Sequence, residues 1–313
     1  MGIKTYLITD CICVFLALLN LIGNSMILYL FSTKRLDSRR NLRIILYMAV
    51  TDIAFSVMIM PQIFYMIANW EPDQVDYDAY VIAATAWPLP LFLKISAGLN
   101  FGAALERILA LYFPMLYRKI DHVKCSNILI SLSVVLGSLD TLLAIFSFRF
   151  ETRINCSSLG CFVHSIFRTY WGASNMSCGI LIIIMSIFVF FKVQKMSRQS
   201  GWLGTTMAER KKNMATTQKF RQANRTTCGV LFSCLFCLTI PSLLVSFVET
   251  AFGFSVFEKI GAFYACALLA NGLMNCIIFL VLNGSVKSNI DTRTLSDAVV
   301  TTVASSKPLS SVR

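Results

Sequence analysis

Glu106-Arg107-Ile108-Leu109-Ala110-Leu111-Tyr112-Phe113-Pro114-Met115-Leu116-Tyr117 lies where a long apolar run, beginning at Tyr80, gives way to a basic loop carrying Arg118, Lys119, His122 and Lys124. An adjacent acid and arginine therefore fall where hydrocarbon would meet water. A charged pair deep in lipid is costly unless partnered, and at a helix end an arginine can snorkel to the interface or hold its neighbour. The pair alone reads equally well as an interfacial anchor. Pro114, seven residues beyond Arg107, and Tyr117, three beyond that, end the helix at a fixed distance and set this run apart.

Working outward, 14% of residues are charged, 56% are hydrophobic and the mean hydropathy is +0.68, against roughly 25% charged and 45–50% apolar in soluble domains. This is the composition of a membrane protein. The net charge of +12 sits in short clusters between apolar runs, the pattern of juxtamembrane loops rather than of a nucleic-acid surface. Eleven cysteines give no metal spacing such as two C-x-x-C motifs together. Most lie inside apolar runs, where a cysteine is a small hydrophobe. No metal and no cofactor are expected.

An apolar helix needs about 20 residues to cross hydrocarbon. Seven runs qualify, over about 7–31, 44–68, 80–111, 127–148, 170–191, 227–250 and 260–282. The expected architecture is an all-α membrane protein, a seven-transmembrane-helix bundle over 1–283 with a tail over 284–313. The first run is longer than the apolar core of a signal peptide, and its basic flank follows it, so it reads as an uncleaved span. Lys and Arg in alternate gaps number twenty-one on one side and five on the other. The richer side is expected in the cytoplasm, with the N-terminus outside and the C-terminus inside.

On the expected outer side, Asn69 to Asp78 carries four acids and no base, a solvated turn or a cation-attracting rim. Asn155-Cys156-Ser157 is a glycosylation acceptor there. Asn175, within a span, and Asn224, on the inner side, are not expected to be modified. Cys156 and Cys161 share the outer loop and either bridge or stay free. On the inner side, 192–225 carries nine basic residues and reads as a leaflet anchor, as a surface for a partner, or as both. Its second half is expected to continue the sixth span as a helix. The Ser/Thr-rich tail is expected to be disordered and open to phosphorylation.

Polar residues inside the spans need partners. Asn24 follows Gly23 in the first run, Asp52 lies in the second, and Asn271 and Asn275, four apart, share a face of the seventh. Each alone more often serves helix packing than function. Together they carry a resemblance. Glu106-Arg107 resembles the Asp/Glu-Arg-Tyr motif of seven-helix G-protein-coupled receptors, and Pro114 with Tyr117 the Pro-x-x-Tyr of their second cytoplasmic loop. Gly23-Asn24 is similar to the first-helix Gly-Asn, Leu46 to Asp52 to the second-helix Leu-x-x-Ala-x-x-Asp, and Asn271 through Phe279 to the seventh-helix Asn-x-x-x-Asn-Pro-x-x-Tyr. Pro241 matches the sixth-helix proline, a kink at which that helix could swing.

The resemblance implies a coupling and switch set of Glu106, Arg107, Tyr112, Pro114, Tyr117, Pro241, Asn275 and Phe279. It also implies an intramembrane polar network of Asn24, Asp52, Ser96, Asn271 and Asn275, with a weak sodium pocket at Asp52, Ser96 and Asn271. There are departures. No cysteine stands near the outer end of the third span, Ile108 replaces an aromatic, Cys276 and Phe279 replace the seventh-helix proline and tyrosine, and Thr239 replaces the sixth-helix tryptophan. They bear on the sodium pocket and on the usual activation linkage. The mixture looks like the nematode serpentine chemoreceptors, and the Glu106 to Pro114 run is most similar to serpentine receptor class BC.

Candidate ligand contacts are Trp87, Lys94, Asp140, Glu249 and Tyr264. Lys94 and Asp140 fall at comparable depth in spans three and four, so they either pair with each other or leave Lys94 for an acidic ligand group. The implied partners are a small-molecule ligand, a heterotrimeric G protein and the lipid bilayer, without nucleic acid; no oligomeric state is implied. The implied place is the plasma membrane, in sensory neuron cilia. A non-sensory receptor for a peptide or amine is the alternative, followed by a seven-span transporter or channel, although no internal repeat is visible. A retinal protein would need a lysine in 260–282, which has none. An embedded enzyme would need clustered acid–base groups, and His122 and His164 fall on opposite sides.

Overall fold

In the computed structural model the described residues are 2–33, 43–151, 153–199, 225–252 and 261–282. Among them are seven helices long and apolar enough to cross a membrane: Lys4–Ser32, Arg43–Ala68, Ala79–Tyr112, His122–Phe146, Ser165–Lys195, Arg225–Val245 and Phe263–Leu282, spans one to seven below. The basic cluster Lys34–Arg40, Asn224 and most of the long basic segment (200–224), Lys259 and the tail over 284–313 lie outside the described residues.

Local chemistry explains several ends. Asp121 starts span four by accepting at Oδ1 from the Val123 and Lys124 amides, 3.0 and 3.4 Å away, which satisfies donors that a helix start leaves open. The helix therefore begins five residues before the expected 127. Gly261 takes φ +78 just ahead of span seven, a left-handed turn suited to glycine. Span three is two helices, Ala79–Thr85 and Pro88–Tyr112. Pro88, at the start of the second, has no N–H to continue the first, as a proline at N1 permits.

Exposed Leu, Ile and Phe side chains, such as Ile22, Leu132, Leu139, Phe188 and Phe232, are the lipid-facing surface of a bundle whose solvent is hydrocarbon. Inside, span one packs along span two, and span three packs on two, four and five. The three–four contact is close because of glycine. A methyl placed at Gly98 would collide with Ser133, one at Gly102 with Leu129, and one at Gly137 with the Leu91 carbonyl. Gly98-x-x-x-Gly102 is the small-residue spacing that lets membrane helices approach.

Span six contains a wide π turn, Leu235–Thr239, directly before Pro241. The Ile240 amide reaches back five residues to the Leu235 carbonyl. Pro241, without an N–H, leaves the Cys237 carbonyl without its usual helical donor. The proline alone suggests a kink; the structure adds a turn of irregular winding.

The end of the bundle bearing Cys156 is covered by its own loops. Tyr6 Oη donates to the Asn155 carbonyl at 2.8 Å, the Asn155 amide to the Val75 carbonyl at 2.7 Å, and the Arg149 amide to the Phe162 carbonyl at 2.6 Å. Val75, Tyr77, Ser157 and Phe162 are almost fully buried, so these connections form a packed cap.

Candidate functional site

At the other end, Pro114 breaks span three after Phe113 and opens a short helix, Pro114–Lys119. That helix turns Tyr117 back onto span three. Tyr117 Oη donates to Glu106 Oε1 at 3.0 Å, and Arg107 Nη2 stands 3.7 Å from the same oxygen. The second distance is an ion pair without a good hydrogen bond. Arg107 is buried, its Nε has no hydrogen-bond partner, and Glu106 is its one ion-pair partner among the described residues. Glu106 and Arg107 border a narrow cleft with Ile44, Ile45 and Met48 of span two and Thr227 and Val230 of span six. Burial, and then the Glu106 carboxylate, push the Tyr117 hydroxyl above its ordinary value of 10.0, partly offset by Arg107. Tyr112, at the end of the same span, donates to the Phe188 carbonyl at 3.2 Å and lies under Lys192 Nζ, 4.7 Å from the ring centre. It ties span three to span five.

The intramembrane polar residues divide into three groups. Asn24 Nδ2 donates to Asn20, and Asn20 Nδ2 donates to Ser56 Oγ at 2.9 Å and more weakly to the Asp52 carbonyl at 3.4 Å. Gly272 of span seven faces this group; a Cβ there would lie 2.8 Å from Asp52 Cγ and 2.9 Å from the Asn20 amide. Asn271 Oδ1 accepts from Ser233 of span six at 3.2 Å. Ser96 instead accepts from Asn100 of its own helix. Among the described residues no hydrogen bond joins Ser96 to Asp52 or Asn271. Asp52 Oδ2, Asn100 Oδ1, Asn271 Nδ2 and Asn275 Oδ1 are buried without a hydrogen-bond partner. Phe279 stacks on Phe31, centroids 6.0 Å apart, beside Cys276.

The ligand candidates do not meet in one place. Lys94 Nζ is 3.1 Å from Asp140 Oδ2, 2.8 Å from Ser174 Oγ and 3.0 Å from Asn175 Oδ1. Ser174 and Asn175 accept hydrogen bonds from the ammonium and Asp140 Oδ2 balances its charge as an ion pair without aligned hydrogen-bond geometry, so an acidic ligand would have to compete with Asp140. Tyr170 Oη completes the group, donating to Asp140 Oδ1 at 2.9 Å. From Tyr170, rings run through Phe167 and Trp171 to Tyr264 of span seven, with centroids 6.3, 6.3 and 5.4 Å apart. The buried Trp171 indole N–H has no partner. Trp87 lies elsewhere, lining a cavity of about 380 Å³ between spans three and four. Glu249 falls on the helix Ile240–Phe252, and its side chain is outside the described set.

In the cap, Cys156 and Cys161 are joined by a disulfide. Asn155 is exposed, in a left-handed turn at φ 59, with Oδ1 accepting from the Val75 amide at 3.1 Å. Ser157 of the same acceptor triplet is fully buried.

Sequence reasoning missed Asp10, Asn20, Asn100 and Trp171. Asp10, in span one, is 1% exposed with neither carboxylate oxygen bonded.

Seven bilayer-length helices around a polar interior, with an acid, an arginine and a tyrosine gathered where span three ends, define a multi-pass membrane receptor of the seven-helix class. The family model for the serpentine type 7TM GPCR chemoreceptor Srbc matches residues 1–284, and the chain belongs to that family. It is a family of receptors, not of enzymes, and the one that the Glu106 to Pro114 run resembles. A search of curated proteins finds no match to the chain.

Proposed function

We propose that the chain is a chemosensory receptor that takes a small environmental or pheromone-like molecule toward the capped end of the bundle and activates a heterotrimeric G protein at the Arg107 end. The reading places the N-terminus outside, the Arg107 end in the cytoplasm, and the protein in the plasma membrane of sensory neuron cilia. The observation that carries it is the position of Arg107: buried, ion-paired only with its neighbour Glu106 among the described residues, and opposite span six across a narrow cleft. A movement of span six at the Leu235–Thr239 turn would open that cleft and release the arginine. Ligand binding would act by favouring one of two bundle arrangements.

The test is a G-protein nucleotide-exchange assay in cells expressing the chain, screened against small water-soluble and volatile cues, with Arg107→Ala alongside. A cue-evoked response that is lost in the variant supports the reading. Equal responses in both remove Arg107 from the mechanism. Epitope tags on the 200–224 segment, reached only after permeabilisation, test the orientation.

A further inference from the structure

We infer that the cavity beside Trp87 is a binding site for a compact, uncharged, ring-bearing apolar molecule that arrives sideways out of the bilayer. This deepens the small-molecule reading above and rests on it.

The recess follows from the break in span three. Because helix Ala79–Thr85 stops and restarts at Pro88, the side chains of Tyr80, Ala83, Ala84 and Trp87 face the last two turns of span four. Two of these four are alanines, which leaves the space open. The cavity measures about 380 Å³, within the range of about 300–1,000 Å³ that small-molecule sites occupy. Its floor is shut by Ala144 and Leu159, 4% and 7% exposed.

The far wall is fixed. Phe150 stacks on Tyr80 with centroids 4.7 Å apart, and Phe148 stacks on Phe162 at 5.8 Å. Backbone bonds from Arg149 to Phe162 and from His164 to Ser147 hold that strip against the disulfide loop. Four of the ten lining side chains are aromatic and none is charged. Two hydroxyls belong to the lining: that of Thr141 donates to the Gly137 carbonyl at 2.8 Å, and that of Tyr80 is on an exposed residue of the rim. An ionic ligand would find no counter-charge, and burying its charge here would be costly; aromatic walls favour a ring.

The direction of entry follows from exposure. Tyr80, Ile145 and Phe150 are exposed at the rim. Ile145 continues the exposed apolar face of span four that includes Leu132, Leu139 and Leu142, so the mouth opens on hydrocarbon. Above it lies the packed cap. A molecule that first dissolves in the membrane reaches the recess without crossing that cap. A long lipid chain would leave most of its length outside a recess so short and closed at the floor.

The experiment uses the full chain in phosphatidylcholine nanodiscs and the neutral probe 3-trifluoromethyl-3-phenyldiazirine, with labelled peptides mapped by mass spectrometry over a range of probe concentration. The expected result is saturable labelling on Tyr80–Trp87 and Thr141–Phe150, competed by unlabelled trifluoromethylbenzene. Ala84→Trp, which fills the recess from an exposed position, abolishes the saturable part, and Leu139→Trp on the open lipid face leaves it intact. Competition in the unmutated chain gives the same reading if the filled variant does not fold. Labelling that rises linearly, resists competition and falls equally on Leu132, Leu139 and Phe188 would show ordinary acyl-chain contact and overturn the proposal. Saturable labelling that survives in a folded Ala84→Trp would also overturn it. No G protein enters the assay, so a failure of coupling and a failure of this site are read separately.

Discussion

Tyr117 Oη donates to Glu106 Oε1 at 3.0 Å, across eleven residues and a proline break, and this oxygen is the one nearest Arg107. Glu106 is thus held from both sides, by a phenol from the short helix and by the guanidinium beside it. A hydrogen bond to a charged group contributes roughly 1.5–3 kcal/mol. Tyr117→Phe removes it without removing the ring, and the expected outcome is a rise in cue-independent nucleotide exchange of about tenfold, as a shift of about 1.4 kcal/mol between two states implies. Unchanged basal exchange, with normal surface expression, would separate this bond from the switch.

The same hydroxyl sets an alkaline limit. Burial and the Glu106 carboxylate raise its folded pKa above the ordinary 10.0. A group whose folded value is raised contributes its stability fully below the unfolded value and loses it as pH climbs through the folded one. Thermal stability in detergent therefore carries no Tyr117 contribution to its pH dependence up to pH 10. Above that, wild type is expected to lose stability more steeply than Tyr117→Phe, as followed by unfolding curves at successive alkaline pH.

Lys94 and Asp140 are buried together, with side chains 7% and 3% exposed. Removing one partner of such a pair strands the other charge and costs roughly 3–5 kcal/mol, whereas replacing both by apolar residues is often neutral. Lys94→Ala is expected to lower the melting temperature sharply, and Lys94→Met with Asp140→Leu to recover most of it. If Lys94 served a ligand acid instead, both variants would lose the response while the single variant kept its stability.

Asp10 is buried with both carboxylate oxygens unbonded. An unsatisfied buried polar group costs about 1–3 kcal/mol, more when charged. Asp10→Leu is expected to raise the melting temperature. A lowered value would show that the carboxylate holds a partner in the membrane.

The sequence displays the spans because hydrocarbon demands long apolar runs, and the acid, arginine, proline and tyrosine stand in one short stretch of chain. Other features depend on which helix face turns inward. Asn20 looks like isolated packing glue until Ser56 and Asp52 are placed against it. Asp10, close to the start of span one, looks interfacial until Cys13, Tyr77 and Cys266 are placed around it. Ser96 is on the same helix face as Asn100 one turn along, and the bond its hydroxyl accepts from Asn100, at 3.4 Å, shows only once the helix is wound. The Gly98-x-x-x-Gly102 spacing was readable and would have located the three–four contact. The recess beside Trp87 was not, since a cavity is made by side chains from two spans and a loop.

The turn over Leu235–Thr239 stores one residue more than an α-helix would use. Rewinding it to α geometry would advance the helix by a residue and rotate one half against the other by about 100°. Thr227 and Val230, which face Arg107, sit on the half that would turn. A sixth helix that moved in this way would act as a screw as well as a lever, and the surface offered at the Arg107 end would be exchanged, not merely displaced.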